Sequence, residues 1–184
     1  MKKSLDEIRA EIAAVDTEAK RLCEGLTEEQ LAWRPQPGKW SIAENLAHLN
    51  VTTQTYVPGI RRSLETARAQ GVTGSGAFDL GFTGKLFVNY LEPPFKMKTK
   101  APKSIQPILQ GPAKDALPQF LRGQEAFAKL VDSADGVDCG RVTFVSPFAS
   151  ILRMKLIAAF ATVTAHDRRH LWIIRNIREQ MPKN

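Results

Sequence analysis

Cysteine is nearly absent from this chain of 184 residues: Cys23 and Cys139 are the two present, far apart and without CxxC spacing. Two thiols cannot build a disulfide framework, and a reducing cytoplasm is the default compartment. Long apolar runs are also lacking. The most apolar stretch, Leu156 to Val163, is far short of the ~20 residues that cross a bilayer. The basic opening Met1-Lys2-Lys3 runs straight into an amphipathic pattern, with no apolar segment of the kind a secretory signal carries. No membrane partner is therefore expected. Repeats and low-complexity tracts are missing as well.

What is present is globular composition, 43% hydrophobic and 24% charged. The length suits a single domain over residues 1–184 that can bury its own core. The net charge of +7 includes one local run, Lys96, Lys98, Lys100 and Lys103. Such a run is more often a solvated loop than a nucleic-acid patch. With Phe95 alone beside it, it lacks the interleaved aromatics on which bases stack.

Four segments carry helical periodicity. Leu5, Ile8, Ile12, Val15, Ala19, Leu22 and Leu26 form one continuous face, with Gly25 near its end. Thr27 and Gln30 fit a capping box for a short piece carrying Leu31 and Trp33. Ser41 and Glu44 form a second box, opening a helix whose apolar face runs through Ile42, Leu46, Leu49, Thr53, Tyr56, Ile60 and Leu64. Pro58 and Gly59 interrupt that face and predict a kink.

Residues 71–118 are Gly- and Pro-punctuated, with a short helix over Leu80 to Leu91 whose apolar side is Phe82, Leu86, Phe87 and Tyr90. The segment reads either as a lid or binding loop or as an insertion covering core. A helix from Asp115 to Val131 follows, apolar at Leu117, Phe120, Leu121, Phe127 and Val131. Arg141 to Phe148 reads as extended, and the last helix as Ser150 to Glu179. Four long helices with little strand predict an all-α four-helix bundle, with a partly irregular insertion between the second and third.

The three histidines of the chain carry its chemistry. His166 and His170 lie four apart on the apolar stripe of the last helix, so their rings emerge one turn apart on one face and can converge on one ion. His48 stands one step, about 100°, from Leu49, at the flank of its helix's apolar face. Spacing alone leaves open whether it joins the pair.

Two stretches containing all three histidines carry a resemblance. Gly38-Lys39-Trp40-Ser41-Ile42-Ala43-Glu44-Asn45-Leu46-Ala47-His48-Leu49 resembles the Trp-Ser-x-x-Glu-x-x-x-His-Leu opening of the DinB-like family. Ala165-His166-Asp167-Arg168-Arg169-His170-Leu171 is similar to that family's closing His-x-x-Arg-His-Leu. Ile173 departs from it, standing where a glutamine is common. The resemblance implies a four-helix bundle with a three-histidine site for one divalent ion, zinc or nickel, held by His48, His166 and His170. It also implies relatives that join a low-molecular-weight thiol to an electrophile, or isomerise with mycothiol.

Three nitrogen ligands with an open position describe a catalytic kind of site that activates a thiol or water on a small molecule. Glu44 could orient a ligand or act as base, although a capping-box role explains it better. Arg169 could hold an anionic substrate or simply be exposed. Trp40 reads as core, and Cys23 as a small hydrophobe. The competing reading is a non-catalytic, metal-stabilised bundle acting through a homodimer or another partner.

Overall fold

The computed structural model describes residues 1–94, 101–148 and 151–182. Four long helices make the bundle: α1 (Leu5–Cys23), α3 (Ile42–Ala69), α5 (Ala116–Asp132) and α6 (Leu156–Gln180). Two shorter ones join them, α2 (Glu28–Ala32) and α4 (Gly81–Leu91). The first three helices in the chain each start at a reciprocal capping box: Ser4 with Glu7, Thr27 with Gln30, and Ser41 with Glu44. In each, two N–H groups that have no partner inside the helix are satisfied locally, which fixes where the helix begins.

Cross-helix contacts give the direction of each helix. Asn45 meets His170 and His48 meets His166, so α3 and α6 are antiparallel. Thr164 meets Glu11 and Arg175 meets Glu18, so α1 and α6 are parallel. Arg9 near the start of α1 bonds Asp132, the last residue of α5, and Asp135 just beyond it, an antiparallel pair. The starts of α3 and α5 share one apolar cluster (Ile42, Leu46, Ala116, Phe120), and their later parts share the other (Tyr56, Ile60, Phe127, Val131). Hence α3 and α5 run the same way.

That parallel pair explains the long insertion. Leaving the end of the 28-residue α3, the chain must travel back roughly 42 Å before α5 can start. It does so across the open side of the α3–α6 pair. On that path α4 packs against α6, and single 3-10 turns stand at Lys103–Ile105 and Ala113–Asp115.

Several expectations need correction. The buried side of α4 is Gly84, Val88 and Leu91, while Phe82 and Leu86 face outward. A Cβ at Gly84 would lie 2.4 Å from the Ala158 methyl; close approach to α6 is possible only on the glycine side, and this small-residue contact overrides the apolar pattern. The last helix starts at Leu156, because Arg153–Lys155 pairs antiparallel with Thr143–Val145 as a two-stranded ribbon. Ser150, where that helix was expected to begin, lies outside the described residues, as do Phe95, Lys96, Lys98 and Lys100. A second pair, Lys2–Lys3 with Phe78–Asp79, was not foreseen. The first helix stops at Cys23, short of Leu26, with Gly25 at φ 72° in the turn. On α5, Leu117 and Leu121 are only partly buried, and Gln124 takes a core position. The α-helix continues through Pro58, and Gly59 serves packing: a Cβ there would lie 2.9 Å from the Phe144 ring. No described helix is long and apolar enough to cross a membrane.

Candidate metal centre

The first turns of α3 are buried on every side, from Ile42 and Ala43 through Asn45, Leu46, Ala47, His48 and Leu49. The returning insertion covers the face that a simple amphipathic helix would leave to water, and His48 is only 1% exposed. The flank position read from periodicity is therefore an inward one.

The three rings form a compact triangle. Their centroids are 5.1 Å apart for His48–His166, 4.6 Å for His48–His170 and 4.7 Å for His166–His170. One nitrogen from each can be chosen so that all lie within 4.8 Å of one another. The Nε2 atoms of His48 and His166 are 3.4 Å apart. Two nitrogens on one tetrahedral ion, each about 2.0–2.1 Å from it, stand roughly 3.3–3.4 Å apart.

Hydrogen bonds fix which nitrogens carry lone pairs. The Ile105 carbonyl can only accept, and it lies 2.5 Å from His48 Nδ1, so that nitrogen bears the proton and Nε2 is bare. Asn45 donates its amide to the Ser41 carbonyl at 2.8 Å, which turns its oxygen toward His170 Nδ1, also at 2.8 Å. His170 Nδ1 therefore donates, and its Nε2 is bare as well. Burial is the leading reason that all three histidines are held below the usual imidazole range, His166 to about 3. For His166 and His170 the neighbouring imidazoles and Arg169 add to the effect. Without metal, His166 Nε2–H can donate to the bare His48 Nε2 at 3.4 Å, and with its proton on the other ring nitrogen His166 offers a second lone pair to an ion; neutral is the form that ligates metal. These residues fit a divalent ion.

The triangle opens on a cavity of about 1000 Å³. Trp40, expected in the core, is half-buried and forms one wall, its ring 4.7 Å from His48 and 6.1 Å from His170. Arg169 is 6% exposed, with its guanidinium 5.6 Å over the Tyr90 ring and a bond to the Tyr90 carbonyl at 3.2 Å. Arg168 binds Glu92 at the end of α4 and Glu11 of α1, pinning that wall to the bundle. Glu44 does not line the cavity; its carboxylate accepts from Arg34 and from the Ser41 N–H. The Cys23 thiol is buried and pushed up to about 11, which suits packing.

Sequence reasoning missed Asn45 and Ile105. Asn45 sits three residues before His48, a polar side chain on an apolar face, and that was a readable signal. A backbone carbonyl from the insertion left none. It also missed Asp167, which is buried against Gln124 at 3.0 Å, its carboxyl pushed up to about 8 by burial.

The arrangement defines a class: all-α bundle proteins whose histidines, on two antiparallel helices, can hold a metal ion at the floor of a cavity. Within that class the chain belongs to the DinB superfamily, whose sequence model matches residues 3–174. No curated protein and no solved structure matches the chain significantly.

Proposed function

We propose that His48, His166 and His170 bind one divalent ion, zinc or nickel, and that the cavity above them is a metal-dependent active site acting on a small molecule. The observation that carries this reading is the 3.4 Å separation of two nitrogens, one with its lone pair fixed by its other hydrogen bond. With three protein ligands, a fourth position is left to water or substrate. An ion held there supplies Lewis acidity, lowering the pKa of a thiol or water to give a nucleophile near neutral pH.

The chain's own residues orient and enclose. Asn45 and the Ile105 carbonyl hold two rings in the ligating tautomer. Trp40, Phe87 and Tyr90 give the cavity aromatic walls beside the histidines. Thiol transfer ranks ahead of hydrolysis on family grounds. Glu44 is assigned to capping rather than to proton transfer, since Arg34 and Ser41 hold its carboxylate. The second reading, a metal-stabilised bundle that acts through a homodimer or partner, draws support from the exposed Phe82 and Leu86 of α4.

The test is turnover. The chain, stripped with a chelator and reloaded with zinc or nickel, is offered low-molecular-weight thiols with electrophiles, and hydrolysable esters. Turnover in the reloaded protein that disappears on stripping and in His170→Ala supports catalysis. Bound metal with no turnover by any of these substrates favours the second reading.

A further inference from the structure

The cavity runs to both sides of the histidines. Because α3 and α6 are antiparallel, the residues on either side of the histidines along both helices fall into two arms. One arm, toward the start of α6, is bounded by Tyr56, Phe87, Phe148 and Val163. Tyr56 and Phe148 meet edge to face with centroids 5.6 Å apart, a continuous aromatic wall. The other arm, toward the end of α6, is bounded by Gln36, Lys39, Asn176 and Gln180 together with the apolar Trp172, Ile173 and Ile177. From Val163 to Gln180 the helix rises roughly 26 Å, with the histidines between the two ends.

Among the described residues that line the cavity, charge is all of one sign. Lys39, Lys103 and Arg169 line it, and among the described residues no aspartate or glutamate does. Arg169 is already engaged by Tyr90. Lys39 and Lys103 are exposed, and no described carboxylate lies within ion-pairing distance of either. Lys103 belongs to the same 3-10 turn as Ile105, whose carbonyl holds His48, so its backbone is fixed beside the histidines.

We infer that the cavity takes a small amphiphilic organic anion, its apolar or aromatic part against Tyr56, Phe87 and Phe148 and its carboxylate toward Lys103 beside the histidines, with Lys39 farther along adding to the positive field. This rests on the reading of the cavity as a substrate site, and goes beyond it by naming the chemical class admitted. Cations without compensating carboxylates make a local positive field that draws anions and disfavours cations. Aromatic walls supply the affinity that a bare inorganic anion cannot recover.

The experiment is calorimetric titration of the full chain, stripped of metal so that a carboxylate cannot report by ligating an ion. The probes are phenylbutyrate, phenylbutanol, phenylbutylamine and inorganic phosphate. The expected order is phenylbutyrate tightest, phenylbutanol weaker, and phenylbutylamine and phosphate weakest. The exposed double variant Lys39→Glu with Lys103→Glu is expected to weaken phenylbutyrate about tenfold and leave phenylbutanol unchanged. Equal binding of acid and alcohol, an unaffected double variant, phosphate binding best, or no probe binding at all would each overturn the inference. Metal content is read separately: a chain that binds phenylbutyrate as expected but never retains an ion would leave this inference standing and remove the metal-dependent reading.

Discussion

Replacing Asn45 by alanine removes one side chain that makes two bonds of 2.8 Å, to the Ser41 carbonyl and to His170 Nδ1. Asn45 is 1% exposed, so water does not readily take its place. In the metal-free chain the cost is softened, because the His170 proton can move to the other ring nitrogen and leave an acceptor where the amide was. With metal bound that escape is closed: Nε2 is committed to the ion, and Nδ1–H is left buried without an acceptor, worth ~1–3 kcal/mol. Affinity for the ion should therefore fall about 10–100-fold, or ~1.4–2.7 kcal/mol. Metal-free thermal stability should fall less. Asn45→Asp keeps an acceptor for His170 Nδ1 and adds charge, and should hold the ion more tightly than Asn45→Ala. Competition against a chromogenic chelator reads the affinity, and thermal unfolding with and without metal reads the rest. Unchanged affinity in Asn45→Ala would refute the claim that this amide sets the ligating tautomer.

Gly84→Ala places a methyl 2.4 Å from the Ala158 Cβ, which should destabilise the fold by ~1–3 kcal/mol; adding Ala158→Gly should recover much of the lost thermal midpoint, and no recovery would contradict the small-residue contact. Burial pushes the thiols of Cys23 and Cys139 up to about 11 and about 12, so an aromatic disulfide reagent near pH 8 should be nearly silent on the native chain and titrate both thiols in denaturant. The three histidines lie below their unfolded pKa of about 6.5. Protons therefore bind the unfolded state first, and the stability from neutral histidine is complete above pH ~6.5 and declines as pH falls, by up to ~1.4 kcal/mol per unit for each. Asp167 has the opposite sign, its stability contribution declining as pH rises toward about 8. With three groups against one, the metal-free thermal midpoint should drop on acidification from neutral to pH ~5; a flat or rising midpoint would contradict the buried, neutral cluster.

What the sequence made legible was local. Ser41 with Glu44 placed the start of α3 at its observed residue, since a capping box needs only four residues to specify itself. The pairing of His166 with His170 followed from helix geometry alone. The parts that stayed hidden were those set by packing across the chain. His48 points inward because the returning insertion buries the far side of α3, and no wheel drawn for α3 contains that insertion. Phe82 and Leu86 face outward because Gly84 and Ala158 determine how close α4 can come to α6. The short ribbon of Arg153–Lys155 with Thr143–Val145 displaced the expected helix start, since three residues in each strand are too few to announce themselves by alternation.

The proposed metal centre needs three imidazoles sharing one cation, and elemental analysis of the purified chain beside His48→Ala and His170→Ala tests it most directly. About one divalent ion per wild-type chain, lost from both variants while their helical content is kept, is the expected result. A metal-free wild-type chain that takes up no zinc or nickel on reloading, or a His48→Ala variant that retains the ion as tightly as wild type, would contradict it.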